Sequence, residues 1–368
     1  MKSNAKVLII YTHYPHYRRP VFSALLDHKG LDFEVLAGSA YSSDGILSAE
    51  SSRVGSLRSY QFLKFIFQTG FFAKLMRDTY GVAIFLGNPY VLSTWIGLLL
   101  CKLLGIKTLL WTHGWLDNDR SNKNQLRDLF YRLADGLVVY SERSKNIGVI
   151  RGFSPDRLRV IFNSLNYEEH TKIRKQFNFS ECDKKKYILS VGRLIPELKL
   201  DLLLEALRSI KIHSMINFPL VVIGSGPEEL ALRSLALDYE LDVTFMGAQY
   251  DEMVIAKEVI CARAVVCPGK VGLTAMHSMV YGTPILTHNN LDKQMPEVEA
   301  LINSKTGIFY DYGSVESLIQ QLKWMHSTGK SAKTKADCAR EIELNWTPRR
   351  QVGEIVSAIN YQLNEVIK

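Results

Sequence analysis

What this sequence lacks narrows it first. Cysteine is scarce: Cys101, Cys182, Cys261, Cys267 and Cys338 are the only five in 368 residues, with no CxxC pair and no zinc-ligand spacing. A disulfide-stapled scaffold and a structural zinc module are excluded, and the scatter predicts free thiols in a reducing compartment. Long apolar runs are missing too. The longest, Val91 to Cys101, stops at Lys102, short of the roughly 20 residues a membrane-crossing helix needs. The apolar start, Val7 to Tyr11, is far too short for a signal peptide, so a cytoplasmic location is expected. The GSGP turn at 224–227 has Glu229 where a third glycine would stand, and no Lys-Ser/Thr follows it. Neither a dinucleotide fingerprint nor a nucleotide-triphosphate loop is therefore present. Internal repeats and low-complexity tracts are absent as well.

Acidic residues run short in one half only. Residues 1–165 hold 21 Lys/Arg against 12 Asp/Glu, whereas the remainder is close to neutral. A basic half suits nucleic acid, an anionic membrane surface or a phosphate-bearing substrate. No recognition helix or RNA-binding motif accompanies it, so no nucleic-acid partner is expected.

What is present is ample apolar material, 47% of the chain, at a length that predicts two domains. KVLIIY (6–11), FEVLAG (33–38), VAIFLG (82–87), KTLLWTHG (107–114), GLVVYS (136–141) and RVIFNS (159–164) read as strands, with helical stretches between them. Strands apolar on both faces and alternating with helices predict a parallel sheet covered on both sides. The polar stretch from Tyr167 to Lys186 reads as a linker. The alternation then restarts with KYILSVGR (186–193), FPLVVIGSG (218–226), VTFMGA (243–248) and ARAVVCPG (262–269). The expected domains are 1–170 and 185–345, with the tail 346–368 as one helix packed back on the first. Residues 56–77, SLRSYQFLKFIFQTGFFAKLMR, read as an amphipathic helix. Its aromatics could rest on an anionic membrane, or pack inward with Lys and Arg snorkelling out.

Parallel sheets bind ligands beyond the carboxyl ends of their strands. The loops SVGRLIPELK, IGSGPEE, MGAQ and PGKVGL stand there in the second half, each with glycine where the chain must turn or let a ligand approach. Arg193 and Lys199 follow a strand end and suit a pyrophosphate. Gly272 and Leu273 open a helix whose first amides suit phosphate, and His277 lies one turn further in. Glu297 and Glu299 are the nearest carboxylates in sequence. Asp117-Asn118-Asp119 has the form of a metal-binding DxD, but its place before NQLRDLFYRL predicts helix capping, and no metal is expected.

VGRLIPELKLDLLLEAL, VVIGSGPEE, FMGA, GLTAMHSMVYGTPILTH and MPEVEALINSKTGIFY, in this order over most of 187–320, resemble the donor domain of family-4 glycosyltransferases with the GT-B fold. YTHYPHYRRPVF, LLWTHGW, DGLVVYSERS and VIFNSLN match a subset of that family more loosely over 1–165. The resemblance implies two Rossmann-like α/β domains facing across a cleft. It implies a retaining, metal-independent transferase that moves a sugar from a nucleotide-sugar donor to a saccharide or lipid-linked saccharide acceptor, in polysaccharide assembly on the inner face of the cell membrane. By position, Arg193, Lys199 and His113 would carry the chemistry. Gly224, Gly226, Gly247, Gly269, Lys270, Val271, Gly272, Leu273, His277 and Glu299 would line the donor, and His13, His16 and Arg18 the acceptor side.

The chain departs from that pattern in two places. Gly269 and His277 stand where the family has two glutamates eight apart. Leu198 stands where the pyrophosphate lysine is usual, with Lys199 one place late. Histidine replaces a carboxylate as a hydrogen-bond partner but not as a charge. A GT-B-fold binding protein without catalysis is the alternative these losses raise.

Overall fold

A computed structural model of the chain describes residues 5–38, 49, 51–119, 121–177, 182, 186–214 and 216–365. It divides into two compact units. The first domain is Met1–Leu165 with Pro348–Lys368, and the second is Asn166–Thr347.

The first domain is built on eight strands: β1 (Lys6–Tyr11), β2 (Asp32–Gly38), β3 (Val54–Phe62), β4 (Phe65–Thr69), β5 (Val82–Leu86), β6 (Lys107–Thr112), β7 (Gly136–Val139) and β8 (Leu158–Val160). Their order is β4-β3-β2-β1-β5-β6-β7-β8. All pair in parallel except β3 with β4, an antiparallel hairpin. Between them run α1 (Arg19–Leu26), α2 (Phe71–Arg77), α3 (Leu92–Leu104), α4 (Asn122–Arg132) and α5 (Glu142–Ile150). Successive residues of a strand face opposite ways. In β1, Val7, Ile9 and Tyr11 therefore enter one core layer, and Leu8 and Ile10 the other. This two-sided burial is what the unbroken run KVLIIY encodes.

The second domain opens with α6 (Tyr167–Arg174) and has a six-stranded, all-parallel sheet. Its strands are β9 (Ile188–Val191), β10 (Leu220–Ile223), β11 (Val243–Phe245), β12 (Val265–Cys267), β13 (Ile285–His288) and β14 (Gly307–Tyr310), in the order β11-β10-β9-β12-β13-β14. Its other helices are α7 (Leu200–Ser214), α8 (Glu229–Asp238), α9 (Glu252–Cys261), α10 (Thr274–Val280), α11 (Val315–Thr328) and α12 (Ala332–Asn345). Helix α13 (Pro348–Glu365) returns to the first domain. Its Val352, Ile355, Ala358 and Ile359 join the core layer of Val7 and Ile9. Gln351 fastens it, donating to the Phe162 carbonyl at 2.9 Å and accepting from Ser164 Oγ at 2.7 Å.

Three expectations change. Residues 56–77 form not one helix but the β3–β4 hairpin followed by α2. The turn joins paired Phe62 and Phe65 through Leu63 and Lys64, with Leu63 at φ 52°. It carries none of the glycine or asparagine that normally signals such a turn. The expected linker begins with helix α6, whose buried His170 and Ile173 face α9 and α10, so the chain enters the second domain at Asn166. Cys182 and Cys261 are joined as a disulfide, their Cα atoms 4.3 Å apart, where free thiols are expected; a separation of 79 residues carries no sequence signal. Cys101, Cys267 and Cys338 are free and buried.

Candidate functional site

In each sheet the strand order reverses beside the first strand laid down, at β1/β5 and at β9/β12. These are the switch points at which doubly wound sheets hold ligands.

In the second domain the loop after β9 is laced between its neighbours. Leu194 N–H donates to Ser225 O at 2.9 Å, Glu228 N–H to Leu194 O at 3.0 Å, and Gly269 N–H to Leu198 O at 2.9 Å. This close packing explains three glycines. A Cβ on Gly224 would lie 1.8 Å from Gly192 O, one on Gly226 2.3 Å from Leu194 O, and one on Gly269 1.9 Å from Glu197 O. These glycines admit a neighbouring loop of the protein itself. Gly247, at φ 70°, and Gly272 are different: the first has open space where a Cβ would stand, and the second meets only Met295, at 3.8 Å.

Arg193 and Lys199 are both exposed on the β9 loop. Lys199 sits in the left-handed region at φ 56°. The twist turns Leu198 toward the core and Lys199 outward to the surface. Lys270 is exposed beside Gly269, and Val271 is buried. The Val271 amide donates to Gln294 Oε1 at 2.7 Å, and Gln294 in turn donates to Thr287 Oγ1 at 2.9 Å. Gln294 is a positioning residue that sequence reasoning misses, because it lies 23 residues from the amide it holds. Leu273 directly precedes α10, and Glu299 is half-buried in the short turn Pro296–Ala300.

His277 on α10 meets the first residue of α9: its Nε2 is 2.6 Å from Glu252 Oε1. Tyr281 Oη donates to the same oxygen at 2.5 Å, and His170 of α6 stacks on His277 with ring centroids 5.0 Å apart. A carboxylate thus reaches position 277 in space, from another helix. Burial raises the Glu252 pKa, but the hydrogen bonds from His277 and Tyr281 outweigh it and hold the group below its ordinary value. Burial, with His277 beside it, pushes the His170 imidazole down to about 4. The ligand atoms of His170, Glu252 and His277 all lie within 4.8 Å of one another, a set that could accept a metal ion.

In the first domain a cavity of about 790 Å³ opens at the carboxyl ends of β1, β5 and β6. His13 and Arg18 come from the loop after β1, and His113 from the turn after β6. His16 is exposed against Tyr17, ring centroids 5.8 Å apart, and does not line the cavity. The WTHG turn is fixed by α5: Ser144 Oγ donates to His113 O at 2.7 Å and accepts from Trp115 N–H at 3.1 Å. Gly114 is required there, at φ 65° with its missing Cβ 2.1 Å from that oxygen. The segments LLWTHGW and DGLVVYSERS therefore act as one joint.

The His113 ring lies 4.7 Å from that of Tyr140. Desolvation, then the Arg18 and Arg127 charges, hold its imidazole well below the ordinary range. Because His113 keeps an open face toward the cavity, the two neighbouring charges are the firmer cause. Arg18 is only 3% exposed. Its guanidinium carbon lies 4.9 Å from the Trp111 ring centre, 5.1 Å from that of Tyr140 and 5.3 Å from that of Tyr17. It donates to Tyr140 Oη, while its Nε and Nη1 have no hydrogen-bond partner. Asp117 and Asp119 both accept from Asn124 on α4, and Asp119 also accepts from Ser121, the residue that caps that helix. The DxD form is thus part of a helix start.

Residues 171–341 match the family model for glycosyl transferases group 1. No curated protein matches the chain in sequence. Among solved structures, the apo form of the lipopolysaccharide outer core galactosyltransferase WaaB is similar at 16% identity and a TM-score of 0.74, over 96% of this chain and 99% of that one. The Anabaena protein Alr3699/HepE in complex with UDP is similar at 15% identity and a TM-score of 0.69, over 96% and 99%. Sucrose-phosphate synthase from Thermosynechococcus elongatus is similar at 16% identity and a TM-score of 0.68, over 99% and 100%. The fold is GT-B, with two Rossmann-like parallel-sheet domains.

Proposed function

We propose that the chain is a retaining family-4 glycosyltransferase that moves a hexosyl group from a nucleotide-sugar to a saccharide or lipid-linked saccharide acceptor. One observation carries the reading: the stretch matching the glycosyl transferase group 1 model contains the β9/β12 switch point, where Arg193 and Lys199 stand exposed. In this reading the donor lies on the second domain and the acceptor on the first. HepE, solved with UDP and with UDP-glucose, favours a uridine nucleotide.

The chemistry asks little of the protein. Breaking the anomeric C–O bond loads negative charge onto the leaving diphosphate. Arg193 and Lys199 stabilise that charge as it develops. The leaving phosphate itself takes the acceptor proton, so no carboxylate nucleophile and no metal are assigned. His277, oriented by Glu252, offers a hydrogen bond to the nucleotide in place of the family glutamate.

The reading extends to a place of work, the inner face of the cell membrane during surface-polysaccharide assembly. On α3, Leu92, Ile96, Leu99 and Leu103 recur on one exposed face, Leu103 at 85%. The hairpin tip adds Phe62 and Leu63 at 76% and 78% exposure. Residues 51–116 carry seven Lys/Arg and a single acid, Asp78. Apolar knobs in a cationic field suit the surface of an anionic bilayer. Among the described residues no helix is long and apolar enough to cross a membrane.

Transfer kinetics test the reading. Arg193→Gln and Lys199→Gln are each expected to lower kcat/KM by about 100- to 1,000-fold, the usual cost of removing one group that stabilises developing charge. A wild-type protein that binds nucleotide-sugars yet neither transfers nor hydrolyses them would establish the inactive binding protein instead.

A further inference from the structure

The first-domain cavity carries an imbalance that the reading above leaves unused. Among the described residues lining it are four cations, Arg18, Lys64, Lys123 and Arg127, and no carboxylate. Arg18 forms the buried part of the wall and, among the described residues, makes no ion pair. Its surroundings are aromatic faces and a tyrosine hydroxyl. A buried charge without a counter-charge costs several kcal/mol. A guanidinium remains protonated at any physiological pH and cannot escape that cost by losing its proton.

We infer that this cavity is a seat for a phosphate group borne by the acceptor, with Arg18 as the buried counter-charge and Arg127 and Lys64 on the walls. Phosphate fits better than carboxylate on charge. It brings nearly two negative charges and three acceptor oxygens where a carboxylate brings one and two, and four cations line the site. The planar fork of Arg18 suits either group, so the excess of positive charge decides. The word acceptor rests on the transferase reading; the phosphate seat does not.

The test titrates inorganic phosphate into the full chain held saturated with UDP, followed by calorimetry. One phosphate is expected to bind with UDP still in place, and sodium acetate at the same concentrations to bind at least about tenfold more weakly. Arg18→Gln is expected to weaken phosphate by about 10- to 100-fold, the range for a hydrogen bond to a charged group, while UDP binding stays unchanged. Should that variant fail to fold by circular dichroism, Arg127→Gln on the wall carries the test, with a loss of about 3- to 10-fold. Displacement of phosphate by UDP, equal binding of acetate, or Arg18 and Arg127 variants that bind phosphate like the wild type would each overturn the inference. Failure of these arms with UDP binding and sugar transfer intact leaves the transferase reading standing. The source of the phosphate is separated by a second arm, sedimentation with phosphatidylcholine vesicles with and without phosphatidic acid. Arg18-dependent capture only on the phosphatidic acid vesicles assigns a lipid-borne phosphate; Arg18-dependent binding of dissolved phosphate alone assigns a soluble one.

Discussion

Among the described residues His170 is, with His113 and His288, one of three imidazoles held well below their ordinary range. It is buried at 8% exposure, and its imidazole is pushed down to about 4, so it stays neutral in the fold well below the pH at which a free imidazole ionises. Between about 6.5 and about 4 the unfolded chain binds a proton there that the folded chain refuses. Stability must therefore fall as pH drops through that window. Glu252 acts in the same direction at lower pH, since its depressed pKa gives stability that is lost as the carboxylate is protonated. Urea melts of the wild type between pH 7 and pH 4.5 should show a loss of about 1–3 kcal/mol. His170→Asn should lessen that slope, with the depressed His113 and His288 keeping the remainder, and an unchanged slope would contradict the account. The glycines make a second residue-scale prediction. Gly269→Ala drives a Cβ into Glu197 O at 1.9 Å and should cost about 1–3 kcal/mol or more, whereas Gly272→Ala meets only Met295 at 3.8 Å and should be tolerated. Equal melting temperatures for the two variants would refute the loop-packing explanation. These roles are only half visible in sequence. The glycines announce tight loops, but whether ligand or protein fills the space is a tertiary fact. His277 stands out by its isolation, yet its partner Glu252 lies 25 residues away on another helix.

The elements that surround each site were legible where burial is two-sided and illegible where it is not. Strands β1, β5, β6 and β7 read directly, because both faces are apolar and the run is unbroken. Strand β3 does not, because most of its residues face solvent and its turn at Leu63-Lys64 carries no turn residue. Basic and aromatic residues spaced through 56–77 mimic the period of an amphipathic helix. The proposed membrane contact moves with that correction, since the exposed apolar residues sit on a hairpin tip and on α3. Each exposed leucine that enters a bilayer contributes about 1.5 kcal/mol or more. Leu99→Ser with Leu103→Ser should therefore reduce sedimentation with phosphatidylglycerol vesicles by about tenfold or more, with the thermal melt unchanged. Wild-type protein that stays in the supernatant at low salt would remove the membrane from the account.

At the scale of the whole molecule, two sheets share the same doubly wound design, one with a cationic cavity at its switch point and one with exposed Arg193 and Lys199 at its own. The GT-B architecture was readable from strand–helix alternation and from ordered motifs in 187–320. The return of α13 to the first domain was expected from the sequence as a tail helix packed back on it; what the sequence does not show is its seat, set by Ile355 and Ile359, which complete the β1 core layer. The central claim is that a sugar nucleotide binds the second domain through its diphosphate. Thermal melts with UDP-, GDP-, ADP- and dTDP-sugars test it most directly, because a ligand at 100 times its Kd adds about 2.7 kcal/mol. One nucleotide class should raise the melting temperature by several degrees in the wild type and by little in an Arg193→Gln, Lys199→Gln double variant. No shift with any of the four, or an equal shift in the double variant, would contradict the account.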